Sequence, residues 1–496
     1  MPRNMLFLMT DQHSISTIGC YGNPVVATPA LDRLAADGTR FTHAFTPTAI
    51  CTPARASLLT GAAPFRHKLL ANYERNVGYP EDLADDQFTF AETLRKAGWQ
   101  LGLTGKWHGG VRKTAASYGF QGPTFTGWHN PIDHPDYVHY LDQHGLPSYR
   151  ISGKIRGIAP NGSEGNLMAA RLNQPLEATF EHYLATRTIE MLERFASDGS
   201  KQPFFLATHF FGPHLPYIVP GEYFDMYDPE QIELPPSVAE TFTGKPPVQS
   251  NYSAHWAYDT FDEKTSRKLI AVYWGYVTLI DHQVGRILDA VDRLGLADST
   301  ALMMTADHGE FTGAHRLHDK GPAMYDDIYR IPAIARVPGM PRGQVREEFV
   351  TLMDFTATIL DLAGQVPADA IDGKSMMPLI AGEHPGWRQT VLAEFHGHHF
   401  PYPQRMLRTR THKLVINPES VNELYDLTAD PHEIVNRIGD PALAGTRKIL
   451  MAELYRQLRE RHDNFYHWMT SMFDVGNVDY DPTLSSFENP GTSTNT

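Results

Sequence analysis

The stretch Met5-Leu6-Phe7-Leu8-Met9-Thr10-Asp11-Gln12 decides the fold: a largely apolar run of strand length is followed at once by an acid and an amide. An apolar run without alternation suits a central parallel strand covered on both faces. Asp11 and Gln12 then fall at the carboxyl edge of the sheet, where open α/β sheets place their ligands. The run Thr300–Ala306 repeats the pattern and ends in Asp307-His308-Gly309-Glu310. Two apolar strands, each ending in a pair of oxygen or nitrogen donors, form the strongest constellation in the chain.

Outward from these two strands, residues 99–104 read as a strand that delivers Gly105-Lys106-Trp107-His108 to the same edge. Residues 203–208 read as another, followed by His209 and Gly212-Pro213-His214. Further strands are expected at 332–337 and 390–394. Thr28-Pro29 and Thr89-Phe90-Ala91-Glu92 carry helix-start signals, the second with capping-box spacing. Helical patterns cover 177–197 and 354–363, and apolar spacing from Leu269 to Val291 predicts one long amphipathic helix over 266–295. Residues 111–175 and 218–262, rich in Gly, Pro and aromatics, read as loops over the active face, where specificity is usually carried. Together these predict an α/β catalytic domain over 1–400, with a large, mostly parallel central sheet flanked by helices. Short alternating strands at 405–417 and 423–427 and a helix over 441–461 predict a smaller antiparallel α+β subdomain at 401–463. The tail, 464–496, begins with Phe465, Tyr466, Trp468, Met469, Met472 and Phe473. So apolar a segment is expected to cover its own chain or a second copy, and the expectation is a homo-oligomer.

The 496 residues are 42% hydrophobic and 20% charged, the composition of an ordinary globular protein. With 57 acidic and 43 basic residues the formal charge is −14, which argues against a nucleic acid partner. An anionic substrate therefore needs a locally positive pocket. Cys20 and Cys51 are the only cysteines, so no disulfide framework exists, and a Cys20–Cys51 bridge would consume the candidate nucleophile described next. The first residues are too short an apolar run for a secretory signal, and no run reaches membrane-spanning length. The expectation is a cytoplasmic protein with no membrane partner.

Cys51-Thr52-Pro53-Ala54-Arg55 reads as a helix start with Thr52 as cap and Pro53 at the first helical position, leaving Cys51 at the positive end. A lone cysteine is more often a small buried hydrophobe than a catalyst, but Pro53 and Arg55 change that reading. Cys-x-Pro-x-Arg resembles the type I sulfatase signature, in which the cysteine is oxidised to formylglycine. A cysteine phosphatase loop fits poorly, since it wants an arginine where Ser57 stands. The resemblance continues through Asp11-Gln12, Gly-Lys-Trp-His at 105–108, Pro-His at 213–214, the helix around 276–288, Asp-His-Gly-Glu at 307–310, Lys-Gly-Pro at 320–322 and Glu-Leu-Tyr-Asp-Leu at 423–427. The chain thus resembles, over nearly its whole length, a type I sulfatase of the alkaline phosphatase superfamily, and an alkaline-phosphatase-like fold is implied.

The resemblance implies a formylglycine at position 51 whose hydrate offers one hydroxyl for attack on sulfur and a second through which sulfate is expelled. It requires a formylglycine-generating enzyme as maturation partner. Metal ligands are expected at Asp11, Gln12, Cys51, Asp307 and His308. Two ionised aspartates balance one divalent ion; calcium is the first choice by resemblance, and the histidine nitrogen makes manganese its rival. Arg55, Lys106 and Lys320 would neutralise nucleophile and sulfate oxygens, whereas most lysines are solvated surface charges. His108 and His214 are the acid–base candidates among 24 histidines. Asn72 is carried over as a substrate contact. His396, His398 and His399 are read as a pocket rim, while His209, His315 and His318 are unassigned. Three functions compete: a sulfate ester hydrolase, a phosphonate monoester or phosphodiester hydrolase on the same site, and a silent anion-binding scaffold. The Gln12 and His308 pair resembles the phosphonate hydrolase and choline-sulfatase-like branches.

Overall fold

In the central strand, alternate side chains serve two different cores. Leu6 and Leu8 join one buried cluster, with Leu269, Val272 and Leu302; Met5, Phe7 and Met9 join another, with Leu58, Leu103 and Phe355. Every residue of the strand is buried, as a continuous apolar run requires. Each large side chain so buried contributes on the order of 2 kcal/mol to the sandwich. The structure, a computed structural model, describes residues 2–465 apart from 76, 159–160, 198–201 and 419.

Numbered in chain order, the nine-stranded central sheet holds β1 (Asn4–Thr10), β2 (Thr39–Phe45), β3 (Gln100–Lys106), β4 (Thr124–Phe125), β7 (Phe204–His209), β9 (Thr300–Ala306), β10 (Arg330–Ile331), β11 (Ala333–Arg336) and β12 (Gln344–Thr351). Its order is β10-β2-β11-β9-β1-β7-β3-β4, with β12 alongside β2. β1, β3, β7 and β9 are parallel, and only β10 and β11 run against their neighbours. In register, Met9 lies opposite both His209 and Thr305, and Gly105 lies opposite His209. The residues that leave these four strands therefore emerge together at one edge.

The helices are α1 (Pro29–Ala36), α2 (Cys51–Thr60), α3 (Phe90–Lys96), α4 (Phe180–Ser197), α5 (Glu263–Arg293) and α6 (Leu352–Leu362). α1, α4 and α5 cover one face of the sheet, and α2, α3 and α6 the other. Thr89 caps α3 through the Glu92 amide, as expected. Thr28 does not cap α1, because its hydroxyl accepts from Gly19. The Asp281 carboxylate of α5 instead takes the amides of Ala30 and Leu31, both at 2.9 Å. Asp281 thereby ties two helices together, which a residue-by-residue reading of Thr28-Pro29 could not anticipate.

The antiparallel sheet near the C-terminus consists of β13 (Val391–Gly397), β14 (Pro401–Arg408), β15 (His412–Ile416) and β16 (Glu423–Asp426). Leu450, Leu454 and Leu458, on one face of α7 (Ala444–Glu460), cover it by packing against Leu407 of β14 and Leu414 of β15. The expected loop at 111–175 needs correction. It carries a helix at Pro135–Gln143 and the strands β5 (Ile151–Ile158) and β6 (Glu164–Leu172), which join β8 (Tyr217–Pro220) in a three-stranded sheet. β5 is mostly exposed and polar, so no apolar period announced it. β2 and β12, unremarked in the sequence, pair in parallel at the far side of the central sheet. Among the described residues no helix is long and apolar enough to cross a membrane. Both cysteines are free. The tail from 466 onward, on which the oligomer expectation rested, lies outside the described residues.

Candidate active site

α2 begins at Cys51 itself, with Ile50 as the extended residue before it. Pro53 lies further into the first turn, where its missing N–H costs nothing. Thr52 is not the cap: its hydroxyl is buried without a partner, while its amide donates to Asn72 Oδ1 at 2.9 Å. Asn72 thus closes the nucleophile helix from outside. Every residue of α2 is buried, so the positive helix end acts on Cys51 with little screening.

Around Cys51 Sγ stand the ends of β1 and β9. Asp11, Cys51, Asp307 and His308 each turn one donor atom inward, all within 4.8 Å of one another and all buried. His308 Nε2 is 3.2 Å from the sulfur, and Asp11 Oδ1 is 3.8 Å from it. His308 Nδ1 donates to the Gly309 carbonyl at 2.9 Å, leaving the Nε2 lone pair turned toward the cluster. Burial, and then the charge of nearby Asp11, raise the Asp307 carboxyl. Burial would raise Asp11 too, but Lys106 and Arg55 hold it well below the usual carboxylate range. Two carboxylates crowded beside a neutral imidazole are the environment a divalent cation relieves, so the donor set fits a metal. Gln12 joins this edge differently. Its amide oxygen accepts from Lys320 at 3.0 Å and its NH2 group donates to Glu310. Gln12 has φ 60°, and the Tyr273 hydroxyl of α5 holds its carbonyl at 2.8 Å.

The cations form a second layer. Arg55 bridges Asp11 Oδ2 at 2.7 Å and Asp307 Oδ2 at 2.9 Å. Lys106 reaches Asp11 Oδ2 at 2.8 Å and the Trp128 carbonyl at 3.2 Å. Lys320 contacts Asp319 and His214 Nε2, each at 2.9 Å. Burial opposes the Lys320 charge, but Asp319 together with the other acidic groups around it, Asp11 among them, outweighs burial and pushes the ammonium pKa up. His214 is held neutral, first by burial and then by the Lys320 charge. Its Nδ1 faces the Leu215 carbonyl at 2.5 Å, so Lys320 carries the proton that the pair shares. His108, in a left-handed conformation, has Nε2 2.6 Å from Glu74 Oε1, while its buried Nδ1 has no partner.

Glu74, His214, Asp319 and Lys320 line a cleft of about 580 Å3 together with Asn72, Trp128 and His398. The rim expected of His396, His398 and His399 is therefore divided: His398 and His399 face the cleft, whereas His396 pairs with Glu394 at 2.9 Å. His209 is buried against Arg55 and the Lys106 carbonyl. His315 pairs with Glu240 at 3.0 Å, and His318 packs edge-on against Tyr258 and Phe261. Sequence reasoning missed Glu74, Trp128, Tyr273 and the role of Glu310. Glu310 accepts from the Thr312 and Asp319 amides and from Gln12. Its place three residues after Asp307 was its only signal.

The chain matches the family model described as Sulfatase over residues 3–365. It matches one described as N-sulphoglucosamine sulphohydrolase, C-terminal, over 313–461. It is 29% identical over 482 residues to the uncharacterized sulfatase YidJ of Escherichia coli, covering 94% of this chain and 89% of the relative. It is 28% identical to an arylsulfatase of Clostridium perfringens, covering 92% of this chain and 95% of that one. Among solved structures, the phosphonate monoester hydrolase of Agrobacterium radiobacter superposes with a TM-score of 0.77 at 25% identity, covering 93% of this chain and 96% of the other.

Proposed function

The chain belongs to the sulfatase family of the alkaline phosphatase superfamily and is a sulfuric ester hydrolase; from that premise we propose that its nucleophile is a formylglycine made from Cys51. A formylglycine-generating enzyme is the maturation partner this requires. We assign one divalent cation to Asp11, Gln12, Asp307, His308 and the residue at 51, with calcium first and manganese as the alternative. When bound, the ion lowers the pKa of the attacking hydroxyl and draws charge from a sulfate oxygen.

Arg55 bridges and aims both aspartates, holding Asp11 ionised and opposing the rise of the Asp307 carboxyl. Lys106 and Lys320 bind the sulfate oxygens and stabilise the charge that grows on them. His108, oriented by Glu74, takes and returns a proton at the residue in position 51. The Lys320–His214 pair delivers a proton to the leaving oxygen. Asn72 keeps the amide end of α2 in place beside the substrate. The observation that carries this reading is the cluster at Cys51: four convergent, buried donor atoms backed by two buried cations.

A second reading, hydrolysis of phosphonate monoesters or phosphodiesters at the same site, is favoured by the likeness to the phosphonate monoester hydrolase. Parallel assays of an aryl sulfate, a phenyl phosphonate monoester and a bis-aryl phosphate separate the two. Preference for the sulfate is expected, and a large preference for either phosphorus ester reverses the assignment. Mass spectrometry of the peptide bearing residue 51 is expected to show the mass loss of thiol-to-aldehyde conversion; thiol alone in active enzyme refutes the nucleophile. Elemental analysis of the active protein decides between calcium and manganese.

A further inference from the structure

Trp128, His214, Leu215 and Pro216 line both the cleft of about 580 Å3 and an adjoining chamber of about 700 Å3. Tyr137, Tyr149, Phe180, Phe211 and Tyr276 line much of this chamber. In that aromatic wall, at the start of α4, sits Glu181, only 2% exposed. Its Oε1 accepts from the Tyr276 hydroxyl at 2.5 Å and from Asn130 Nδ2 at 2.9 Å. Among the described residues, no other residue donates a hydrogen bond to Oε2 and neither Lys nor Arg pairs with the carboxylate, whose further partner is its own backbone amide. The Asn130 contact sets the amide orientation, leaving Asn130 Oδ1 buried without a donor.

A buried carboxylate without a cation is costly, and burial accordingly raises the Glu181 carboxyl. Electron-rich ring faces around it favour a cation over an anion or a neutral group. Asn130 Oδ1 has no donor and the carboxylate has none from a cation, so both can take further N–H or O–H donors. The cleft, with Lys320, calls for an anion, and the chamber, with Glu181, for a cation.

We propose that this chamber binds an N–H-bearing ammonium group at the far end of the ester's alcohol part, with Glu181 as its counter-ion and Asn130 as a second acceptor. The proposal rests on the sulfate ester reading of the neighbouring cleft. A primary or secondary ammonium makes a charge-assisted hydrogen bond to the carboxylate. A quaternary ammonium fills the aromatic walls but gives neither oxygen a donor. A neutral alcohol leaves the carboxylate without charge compensation.

The test is calorimetric titration of the full chain with n-butylammonium, tetramethylammonium and 1-butanol, for the wild type and for Glu181→Gln. The expected result is that the wild type binds n-butylammonium roughly 10-fold or more tightly than the other two, and that E181Q loses this preference. Equal binding of the quaternary ion, no binding of butylammonium, or undiminished preference in E181Q overturns the proposal. Should E181Q not fold, the wild-type series decides alone. On the same preparation, kcat/KM is measured for a series of ω-aminoalkyl sulfates against their unaminated counterparts. The best aminoalkyl ester is expected to be favoured ~10-fold in the wild type and much less in E181Q, the ratio cancelling any general loss of activity. Hydrolysis of 4-nitrophenyl sulfate without amine binding defeats the chamber assignment alone. Amine binding without hydrolysis of any sulfate defeats the sulfatase reading alone.

Discussion

Cys51 sits where the amide end of a buried helix, two carboxylates and an imidazole converge. Its side chain adds little to the core that alanine would not, whereas the proposed nucleophile chemistry has no substitute in alanine. Cys51→Ala is therefore expected to lower turnover by at least ~10³-fold, with an unaltered near-ultraviolet circular dichroism spectrum; retained turnover would contradict the nucleophile assignment. His214, 2.9 Å from Lys320, is proposed to act at the other end of the scissile bond. His214→Ala should reduce kcat on alkyl sulfates on the order of 10²–10⁴-fold. The reduction should be much smaller on 4-nitrophenyl sulfate, whose leaving oxygen needs no proton. A steady-state comparison of the two substrates reads the difference, and equal losses would assign His214 to binding instead.

The site is as precise as the elements that carry it. β3 hands Lys106 to the site through Gly105, which has φ +100° and whose added Cβ would lie 2.0 Å from the His209 carbonyl oxygen of β7. Only glycine permits that approach. Gly105→Ala is expected to cost about 2–4 kcal/mol from strain and strand displacement together, read as a lowered urea midpoint, with activity falling because Lys106 and His209 move. A variant with wild-type midpoint and rate would show that the strands can absorb the methyl group. α5 does comparable work through single contacts: Tyr273 holds the Gln12 backbone, Tyr276 meets Glu181 and Asp281 caps α1. One amphipathic helix thus links the metal edge, the side chamber and the first crossover.

At the scale of the whole molecule, the C-terminal sheet is tied to the catalytic body by buried charges. Glu240 pairs with Lys245 and with His315, Lys245 reaches the Glu433 carbonyl at 2.8 Å, and Lys413 meets Asp326 and Glu433. Burial opposes the Glu240 charge, but the hydrogen bond from His315 and the charge of Lys245 bring its carboxyl down to about 2. A carboxylate depressed in the fold adds stability that is fully present above its unfolded pKa of about 4.3 and is lost as pH falls through the folded value. Stability is therefore expected to drop between about pH 4.5 and 2, with Glu240 accounting for on the order of 2–3 kcal/mol of the loss. Thermal unfolding of the wild type and Glu240→Gln across this range checks it. The gap between the two should be widest above pH 4.5 and close toward pH 2; a gap independent of pH would sink the linkage.

The sequence by itself determined the central sheet and the identity of the cluster at its edge. Fully apolar runs such as Met5 to Thr10 and Thr300 to Ala306 have one stable place, between two helix layers, and the polar residues that end them must then meet. It did not determine β5, whose exposed polar residues carry no period, its partner β6, or the capping of α1 and α2. Those helix ends are satisfied by Asp281 and Asn72, and a hydrogen bond between residues remote in the chain leaves no local pattern. Tertiary structure alone decided that Lys320 protonates toward His214, that Glu74 orients His108, and that Glu181 faces an aromatic chamber without a cation. The physical reason is the same in each case. Local pattern reports which surface a segment must bury, whereas the charge state and partner of a side chain depend on what the completed fold brings beside it.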